Sequence, residues 1–124
     1  MKILIAEDNV VNQLLMRLYM KKMGWEYVIV ENGLWALQAC KTGDFDAIFM
    51  DINMPELNGI ETAKYIRMFN TEIPIIALTA LGDDNNRDKC AKAGRNALIE
   101  KPVSLNSISE IIAELVALNR LRIA

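Results

Sequence analysis

The sequence predicts an α/β protein: a doubly wound parallel sheet of five strands with helices on both faces. Strand-like and helix-like stretches alternate along all 124 residues. Three of the strand-like stretches are continuous apolar runs, which is typical of parallel strands that are covered on both faces. Five alternating β-α units favour right-handed crossovers within one sheet. Because this length fills one core and is too short for two, residues 1–124 are predicted to be a single domain.

Apolar runs predict the positions of the five strands. The expected ranges are residues 2–6, 27–30, 46–50, 73–78 and 97–99. The first, third and fourth of these are the continuous runs, and the second is weaker. Helix-forming stretches separate them at residues 9–23, 33–42, 58–69 and 83–93, and a last helix follows residue 104.

Residues that begin and end helices support these boundaries. Gly24 and Gly94 are expected to end the first and fourth helices, and Asn58 and Ser104 are expected to cap the third and fifth at their N-termini. In the first helix one face carries Val11, Leu14, Leu15 and Leu18. In the last helix the buried side is expected to carry Leu105, Ile108, Ile111, Ile112 and Leu115.

Composition and charge exclude several classes of function. A net charge of −2 and a pI near 5.2 provide no basic field, so direct nucleic-acid binding is not expected. No apolar stretch approaches the roughly 18 residues of a membrane span, so no membrane contact is expected. Residues 1–3 lead directly into a strand, which predicts a cytoplasmic protein without a secretory signal. Cys40 and Cys90 lack CxxC spacing and are expected to be reduced thiols, with a disulfide or metal pair as the alternative.

The chain contains no histidine. This absence excludes His-based zinc sites, Ser-His triads and a phosphohistidine on this chain. Seven methionines are expected mainly in the core; for Met16 and Met20 the alternative is a groove that binds a partner. Trp25 and Trp35 are expected at the rim of the core, with contact to a partner as the alternative for Trp35.

Polar side chains end four of the predicted strands. Glu7 and Asp8 follow the first, Asp51 the third, Thr79 the fourth and Lys101 the fifth. The carboxyl ends of parallel strands lie at one edge of the sheet, where such proteins place their reactive groups. Two like charges about 4 Å apart cost roughly 4 kcal/mol at an effective dielectric constant near 20. Protonation or a hard divalent cation would relieve this repulsion, and carboxylates suit Mg²⁺.

Such an edge is suited to phosphoryl chemistry. A carboxylate beside Mg²⁺ can act as a nucleophile toward phosphorus, and phosphoryl transfer requires alignment and cations around the equatorial oxygens. Lys101 supplies a fixed positive charge and Thr79 a hydroxyl donor, while the backbone carbonyl of Asn53 can complete the metal coordination. The hypothesis is that Asp51 becomes an aspartyl phosphate.

Four short motifs carry a resemblance to a known family. They are IAEDN at 5–9, MDINMP at 50–55, LTA at 78–80 and KP at 101–102. Together, and over essentially the whole chain, they resemble the receiver domain of two-component response regulators. The spacing of Glu7, Asp8 and Asn9 before Asn12 and Gln13 is most similar to receivers that are attached to hybrid sensor histidine kinases.

The resemblance implies a flavodoxin-like sheet in the strand order 2-1-3-4-5, an order that general surveys of α/β folds illustrate with a receiver. It implies that Asp51 is the phosphoacceptor and that Glu7, Asp8, Asp51 and the Asn53 carbonyl hold Mg²⁺. Thr79 and Lys101 would sense the phosphoryl group. It also implies a cis Lys101-Pro102 bond and an open site beside the small Ala80.

The function implied by the resemblance is a switch rather than an enzyme that acts on a free substrate. The domain would accept a phosphoryl group from a histidine on a kinase or on a histidine phosphotransfer domain, change conformation, and dephosphorylate itself. Within a hybrid protein it would be the receiver segment of a histidine kinase. The family usually has an aromatic residue where this chain has Leu98, so a smaller or different conformational response is expected. Asn58 replaces a common Asp, with little expected effect because both residues cap helices.

Three alternatives remain open at this point. A phosphohydrolase similar to haloacid dehalogenases would need a second Asp two residues after the nucleophile, where this chain has Asn53. An interaction module that is never phosphorylated would need only the fold. A flavin- or cobalamin-binding protein is disfavoured because the sequence contains neither a Gly-rich phosphate loop nor a histidine.

Overall fold

A computed structural model describes residues 1–54, 56–80 and 84–123. The strands are β1 (Lys2–Ala6), β2 (Glu26–Val30), β3 (Ala47–Asp51), β4 (Ile75–Thr79) and β5 (Ala97–Glu100). The helices are α1 (Val10–Met23), α2 (Gly33–Thr42), α3 (Gly59–Arg67), α4 (Asp84–Ala93) and α5 (Leu105–Ile123). All strands pair in parallel, in the order β2-β1-β3-β4-β5. The predicted fold class and strand order are confirmed.

Hydrophobic cores lie on both faces of the sheet, because neighbouring residues of a strand point to opposite sides. Ile3 and Ile5 of β1 pack with residues of α1 and α5 on one face. Leu4 and Ala6 pack with residues of α2 and α3 on the other face. β1, β3 and β4 are buried almost throughout, whereas β2 and β5 form the edges and are more exposed. The continuous apolar runs in the sequence therefore correspond to the three central strands.

Several element boundaries differ from the predicted ones. β4 begins at Ile75 rather than at Ile73, because Ile73 donates its backbone N–H to Asn70 Oδ1 (3.0 Å) and the intervening Pro74 has no N–H. β3 includes Asp51 as its last residue, and β5 extends to Glu100. α3 ends at Arg67 rather than near residue 69. The predicted start of the fourth helix at Asp83 lies outside the described residues, as does Pro55 of the MDINMP motif.

The apolar face that the sequence placed on α1 is directed to solvent. Val11, Leu14 and Leu18 are 72%, 60% and 49% exposed. Met16 and Met20 are the buried residues of this helix and belong to the core, as expected for core-filling methionines. The helix is apolar on two sides: Met16 and Met20 fill the core, Val11, Leu14 and Leu18 remain at the surface, and Leu15 is half-buried between them.

The predicted helix ends are mostly confirmed. Gly24 ends α1 in the left-handed region (φ 71°), where glycine pays no steric cost. Asn58 caps α3 by accepting the Glu61 N–H, and Ser104 Oγ accepts the Ser107 N–H at 3.1 Å. In α5, Ile108, Ile112 and Leu115 are buried and Leu105 and Ile111 are half-buried. None of the described helices combines the length and the apolar character that a bilayer crossing requires.

Candidate functional site

The carboxyl edge of the sheet brings together the acidic residues and the lysine that the sequence predicted. Lys101 Nζ lies 3.1 Å from Asp51 Oδ2 and 3.3 Å from Glu7 Oε2. Glu7, Asp8 and Asp51 each offer a carboxylate oxygen, and these oxygens lie within 4.8 Å of one another. Three negative charges thus face one fixed positive charge at the ends of β1, β3 and β5.

Hydrogen bonds from backbone N–H groups hold the Glu7 and Asp51 carboxylates in place. Glu7 donates its N–H to the Val30 carbonyl (3.0 Å), and its Oε1 accepts the Asn9 N–H (3.1 Å). Gln13 Nε2 donates to the Glu7 carbonyl at 2.6 Å. The N–H of Asn53 donates to Asp51 Oδ1 at 3.1 Å, which fixes the rotamer of that carboxylate. One oxygen of each buried carboxylate is thus occupied by a backbone N–H.

Gly59 allows α3 to begin directly against the end of β3. A Cβ atom at this position would overlap the backbone carbonyl of Asp51 and would approach Ile52 Cα to 2.8 Å. Lys101 is fixed to the end of β4 by a hydrogen bond: its N–H donates to the Thr79 carbonyl at 2.7 Å. The Lys101-Pro102 bond is cis, as the resemblance implied.

The site is an open cleft with buried walls. Glu7 and Asp51 are only 1% and 3% exposed, whereas Asp8 is exposed. The cleft has a volume of about 580 Å³ and is lined by Glu7, Asp8, Asn9, Val10, Val11, Asn12, Asp51, Asn53, Ala80 and Lys101. The Glu7 and Asp51 carboxylates therefore lie at the buried base of a cleft that is itself open to solvent.

Burial and mutual repulsion alter the titration of this cluster. Burial raises the pKa of Glu7, and the neighbouring Asp51 charge raises it further; the Asn9 N–H and Lys101 oppose this effect only in part. Burial by itself would lower the pKa of Lys101, but Asp51 and Glu7 outweigh it and hold that pKa above its ordinary value. The Lys101 ammonium is therefore stabilised by its two acidic neighbours, whereas the Glu7 carboxylate is disfavoured.

The donor set fits a hard divalent cation. Oxygen ligands from carboxylates suit Mg²⁺, which retains several waters and needs only one or two carboxylates. Glu7 Oε2 is buried and, among the described residues, has no hydrogen-bond donor within good geometry. An oxygen in that state favours a cation ligand. Asn53 also lines this cleft, and the role of its carbonyl as a metal ligand stays a prediction.

Thr79 occupies a different environment from the other predicted residues. It is fully buried at the end of β4, and its hydroxyl lies 3.5 Å from the Ala80 carbonyl, a long hydrogen bond. It does not line the cleft in this structure. Ala80, by contrast, is exposed and lines the cleft, so the site is open on that side.

The residue that departs from the family pattern lies next to the site. Leu98 is half-buried and packs against a small cluster formed by Ile52, Ala77 and Cys90. Beside it, Arg87 of α4 forms an ion pair with Glu100, which directly precedes Lys101. α4 is therefore attached to β5 by this charged pair as well as by the apolar cluster.

Sequence reasoning missed several residues that support the site. Asn12 lines the cleft, and Gln13 holds the Glu7 carbonyl. The Tyr19 hydroxyl donates to the Val103 carbonyl at 2.9 Å and so joins α1 to the loop after Lys101. The position of Asn12 and Gln13 one helical turn beyond Asn9 was the available signal for the first two. The bond between Tyr19 and Val103 spans 84 positions and had no such signal.

Comparisons with known proteins agree with this geometry. Residues 3–113 match the family described as the response regulator receiver domain. The chain is 31% identical over 116 residues to the sensor histidine kinase GacS of Pseudomonas protegens, covering 90% of this chain and 13% of that protein. It is also 31% identical over 146 residues to probable histidine kinase 1 of Oryza sativa subsp. indica, covering 91% of this chain and 15% of that protein. The chain thus spans less than a sixth of these relatives.

Two solved structures are similar over nearly the whole chain. One is the receiver domain of the sensor histidine kinase PA1611 from Pseudomonas aeruginosa, with a magnesium ion coordinated in its active-site cleft; it has a TM-score of 0.88 and 31% identity and covers 94% of this chain and 97% of that one. The other is the receiver domain of Saccharomyces cerevisiae Ssk1 in complex with the histidine phosphotransfer protein Ypd1. It has a TM-score of 0.86 and 35% identity and covers 93% of this chain and 88% of that one.

Proposed function

Because the chain belongs to the response regulator receiver domain family, we propose that residues 1–124 act as one receiver unit whose phosphoacceptor is Asp51. The observation that carries this proposal is the contact of Lys101 with both Asp51 and Glu7 inside a cleft that is open to solvent. The donor is a phosphohistidine on a histidine kinase or on a histidine phosphotransfer domain. The similar Ssk1 receiver, which is found in complex with a phosphotransfer protein, supports this class of partner.

The reaction moves one phosphoryl group between two side chains. A carboxylate oxygen of Asp51 attacks phosphorus, the P–O bond forms, and the P–N bond to the donor imidazole breaks in line with it. The imidazole nitrogen leaves with the electron pair and takes up a proton from solvent. Asp51 Oδ1 accepts the Asn53 N–H, so the attacking carboxylate has a fixed orientation. Holding both reactants in line accounts for much of the lowering of the barrier.

Charge at the cleft stabilises the transferred group. Lys101 lies 3.1 Å from Asp51 Oδ2 and can pair with the phosphoryl oxygens once the carboxylate is phosphorylated. When Mg²⁺ is bound, it neutralises charge on the phosphoryl oxygens. We assign Glu7, Asp8, Asp51 and the Asn53 carbonyl as its ligands. The magnesium ion in the similar PA1611 receiver supports this assignment. Thr79 would need to turn its hydroxyl away from the Ala80 carbonyl to reach a phosphoryl oxygen.

The exposed apolar face of α1 supports a helical donor. Val10 and Val11 line the cleft and are 67% and 72% exposed, and Leu14 and Leu18 continue the same surface along the helix. Apolar surface beside a reactive cleft is typical of a site that docks another protein. A donor helix that packs on these residues would present its phosphohistidine above Asp51.

Hydrolysis of the aspartyl phosphate is the second reaction in this proposal. Ala80 leaves the cleft open on one side, so water can approach the phosphorus in line with the Asp51 oxygen. The product is free phosphate and a regenerated carboxylate, which makes the domain a switch that resets itself. In a hybrid protein the same unit would be the receiver segment of a histidine kinase. We also propose a cytoplasmic location, which the free thiols of Cys40 and Cys90 support because such thiols persist in reducing compartments.

The phosphoacceptor is tested with a small phosphodonor such as acetyl phosphate and with Mg²⁺. The intact mass of the protein is expected to rise by one phosphoryl group, and Asp51→Asn is expected to remain unmodified. Asp44→Asn, at an exposed acid away from the cleft, is the matched control and should be labelled like the wild type. Equal labelling of Asp51→Asn and the wild type would overturn the assignment.

The donor surface on α1 is tested separately. Leu14→Glu places a charge on the apolar face without touching the cleft, so labelling by acetyl phosphate should be unchanged. Transfer from a phosphorylated histidine phosphotransfer domain should slow at least about tenfold, which corresponds to about 1.4 kcal/mol of docking energy. Lys22→Glu, on an exposed part of the same helix, is the control. Unchanged transfer to Leu14→Glu would place the donor elsewhere.

A further inference from the structure

A second apolar surface lies on the opposite side of the sheet from α1. It is formed by the outer sides of α2 and α3, and its large side chains are well exposed. Leu34 and Trp35 of α2 are 52% and 61% exposed, and Met68 is 80% exposed. Tyr65 and Phe69 are 46% and 45% exposed. Aromatic residues and methionine are enriched in protein interfaces, so this composition indicates a binding surface.

Apart from Trp35, these residues line an open groove between α2 and α3. One depression of about 470 Å³ is lined by Leu37, Lys41, Tyr65, Met68 and Phe69. A second of about 520 Å³ continues along α2 and shares Leu37 and Lys41 with the first. We call this surface the α2–α3 groove and define it by Leu34, Leu37, Lys41, Tyr65, Met68 and Phe69. Its size and its apolar lining are typical of a pre-formed binding site.

The two walls of the groove are held rigidly against each other. Gly33 begins α2 at a close approach to α3. A Cβ atom at Gly33 would overlap the carbonyl of Leu57, which precedes α3, and the hydroxyl of Thr62, which lies within α3. Ala36 and Ala63 are buried between the helices and the sheet. A partner would therefore meet a surface that requires little ordering when it binds, which favours affinity.

One charged residue determines the chemistry of the occupant. Lys41 Nζ lies 5.9 Å from the centre of the Phe69 ring, inside the groove. Among the described residues, no carboxylate lines either depression or forms an ion pair with Lys41. Lys41 is exposed, and a partner that covered it with apolar surface alone would remove its charge from water with little but the Phe69 ring to offset the loss. An occupant that brings a carboxylate to Lys41 is therefore favoured.

The shape of the groove determines the form of the occupant. Its walls are two helices, and a third helix packs into such a groove through residues spaced three and four apart. A second copy of this chain is disfavoured, because a two-fold interface would present the same groove lining, and none of the described residues that line it is a carboxylate that could pair with Lys41. We propose that the α2–α3 groove binds an amphipathic helix of a partner protein and that an acidic side chain of this helix pairs with Lys41.

The groove and the phosphorylation cleft lie at different edges of the sheet. Lys41 and Phe69 are close to the ends of α2 and α3, which precede the first residues of β3 and β4. Asp51 and Lys101 lie at the carboxyl ends of the strands. Both sites can therefore be occupied at once, and binding at the groove does not depend on the proposed phosphorylation.

The experiment uses a library of helical peptides displayed on phage, with one helical face randomised. Selection against the wild-type domain is expected to enrich peptides with apolar residues at i, i+3 or i+4, and i+7 and with an acidic residue beside them. Their binding to Met68→Glu should fall at least about tenfold. Backbone amide shifts in the wild type should change in α2 and α3 and not in α1.

Charge reversal provides the decisive comparison. Lys41→Glu should lose the selected acidic peptides and should bind versions in which the acid is changed to lysine. Lys22→Glu, the same change in the last turn of α1, should leave the affinity unchanged. The proposal is overturned if no peptides are enriched, if the selected peptides still bind Met68→Glu, or if Lys41→Glu does not change the preferred charge. Concentration-dependent dimers that Met68→Glu abolishes would instead assign the groove to a second copy of the chain.

Discussion

Glu7 illustrates how one side chain can oppose folding and yet serve binding. It is almost fully buried, accepts the Asn9 N–H, and faces Asp51 and Lys101. Its pKa is raised, so folding without a metal disfavours the Glu7 carboxylate relative to the unfolded chain. A bound cation would reverse this preference by stabilising the carboxylate. If Glu7 is a Mg²⁺ ligand, as we propose, relief of this electrostatic cost would contribute to the affinity for the metal.

A change of Glu7 to Gln is expected to separate these two effects. In the metal-free wild type, the contribution of Glu7 to stability is complete below its ordinary pKa and is lost as the pH rises through its raised pKa in the folded state. The stability of Glu7→Gln should not fall in this way as the pH rises. The variant should also bind Mg²⁺ at least about tenfold more weakly, because one ligand charge is missing. Urea denaturation in EDTA across roughly pH 4 to 7 measures the first effect, and Mg²⁺ titration measures the second. Glu31→Gln, at an exposed acid, is the control; equal pH slopes for wild type and Glu7→Gln would contradict the expectation.

Cys40 gives a second prediction at the scale of the residue. Burial raises the pKa of its thiol to about 11, so little thiolate exists at neutral pH. Iodoacetamide is expected to modify Cys40 in the folded protein much more slowly than in urea. Mass spectrometry of the modified peptide measures both rates. Rapid modification of the folded protein at pH 8 would contradict the raised pKa.

At the scale of the element, the central strands and the buried face of α5 were predictable, whereas the buried face of α1 was not. β1, β3 and β4 follow from apolar runs because strands that are buried on both sides need no alternation. The last residues of these strands place Glu7, Asp51 and Thr79 at one edge, so most of the site could be predicted with the fold. The exposure of Val11, Leu14 and Leu18 could not, because α1 has apolar residues on two sides and only packing decides which side is buried.

The start of α3 gives a prediction for an element boundary. Gly59→Ala should force the N-terminus of α3 away from the Asp51 carbonyl, because the new methyl group has no space there. A loss of about 1–3 kcal/mol in the free energy of unfolding is expected, together with slower labelling of Asp51 by acetyl phosphate. Gly24→Asn is the control, since asparagine tolerates a positive φ and no atom lies within 4 Å of the new Cβ. Unchanged stability of Gly59→Ala would contradict the close approach.

At the scale of the molecule, the metal cluster joins elements that are distant in sequence. Glu7 and Asp8 follow β1 and Asp51 ends β3, so a cation held by all three would stabilise the folded state as a whole. Mg²⁺ at ten times its dissociation constant should add about 1.4 kcal/mol to the free energy of unfolding. Thermal unfolding with and without Mg²⁺ measures this gain, which Asp8→Asn should reduce and Asp44→Asn should not. An equal gain in Asp8→Asn would exclude Asp8 as a ligand.

Contacts between distant segments were the least predictable part of the molecule. The Arg87–Glu100 ion pair and the bond from Tyr19 to Val103 depend on how α4 and α1 lie against the sheet. Local sequence determines where a helix begins and ends, but its lateral position depends on all of its packing neighbours. The effect of Leu98 in place of an aromatic residue stays a prediction, because it depends on how the side chains around Leu98 repack after phosphorylation.

The hydrogen bond between Tyr19 and Val103 has a consequence for the order of events in signalling. It links α1, which carries the proposed donor surface, to the loop that follows Lys101. If phosphorylation of Asp51 displaces Lys101, we expect part of that displacement to reach α1 through this bond. We therefore predict that the phosphorylated receiver binds its donor less tightly than the free receiver does, and that donor binding weakens binding of the phosphoryl mimic by the same factor. Tyr19→Phe should remove this difference in donor affinity between the free and the beryllofluoride-bound forms, and calorimetry can compare the two.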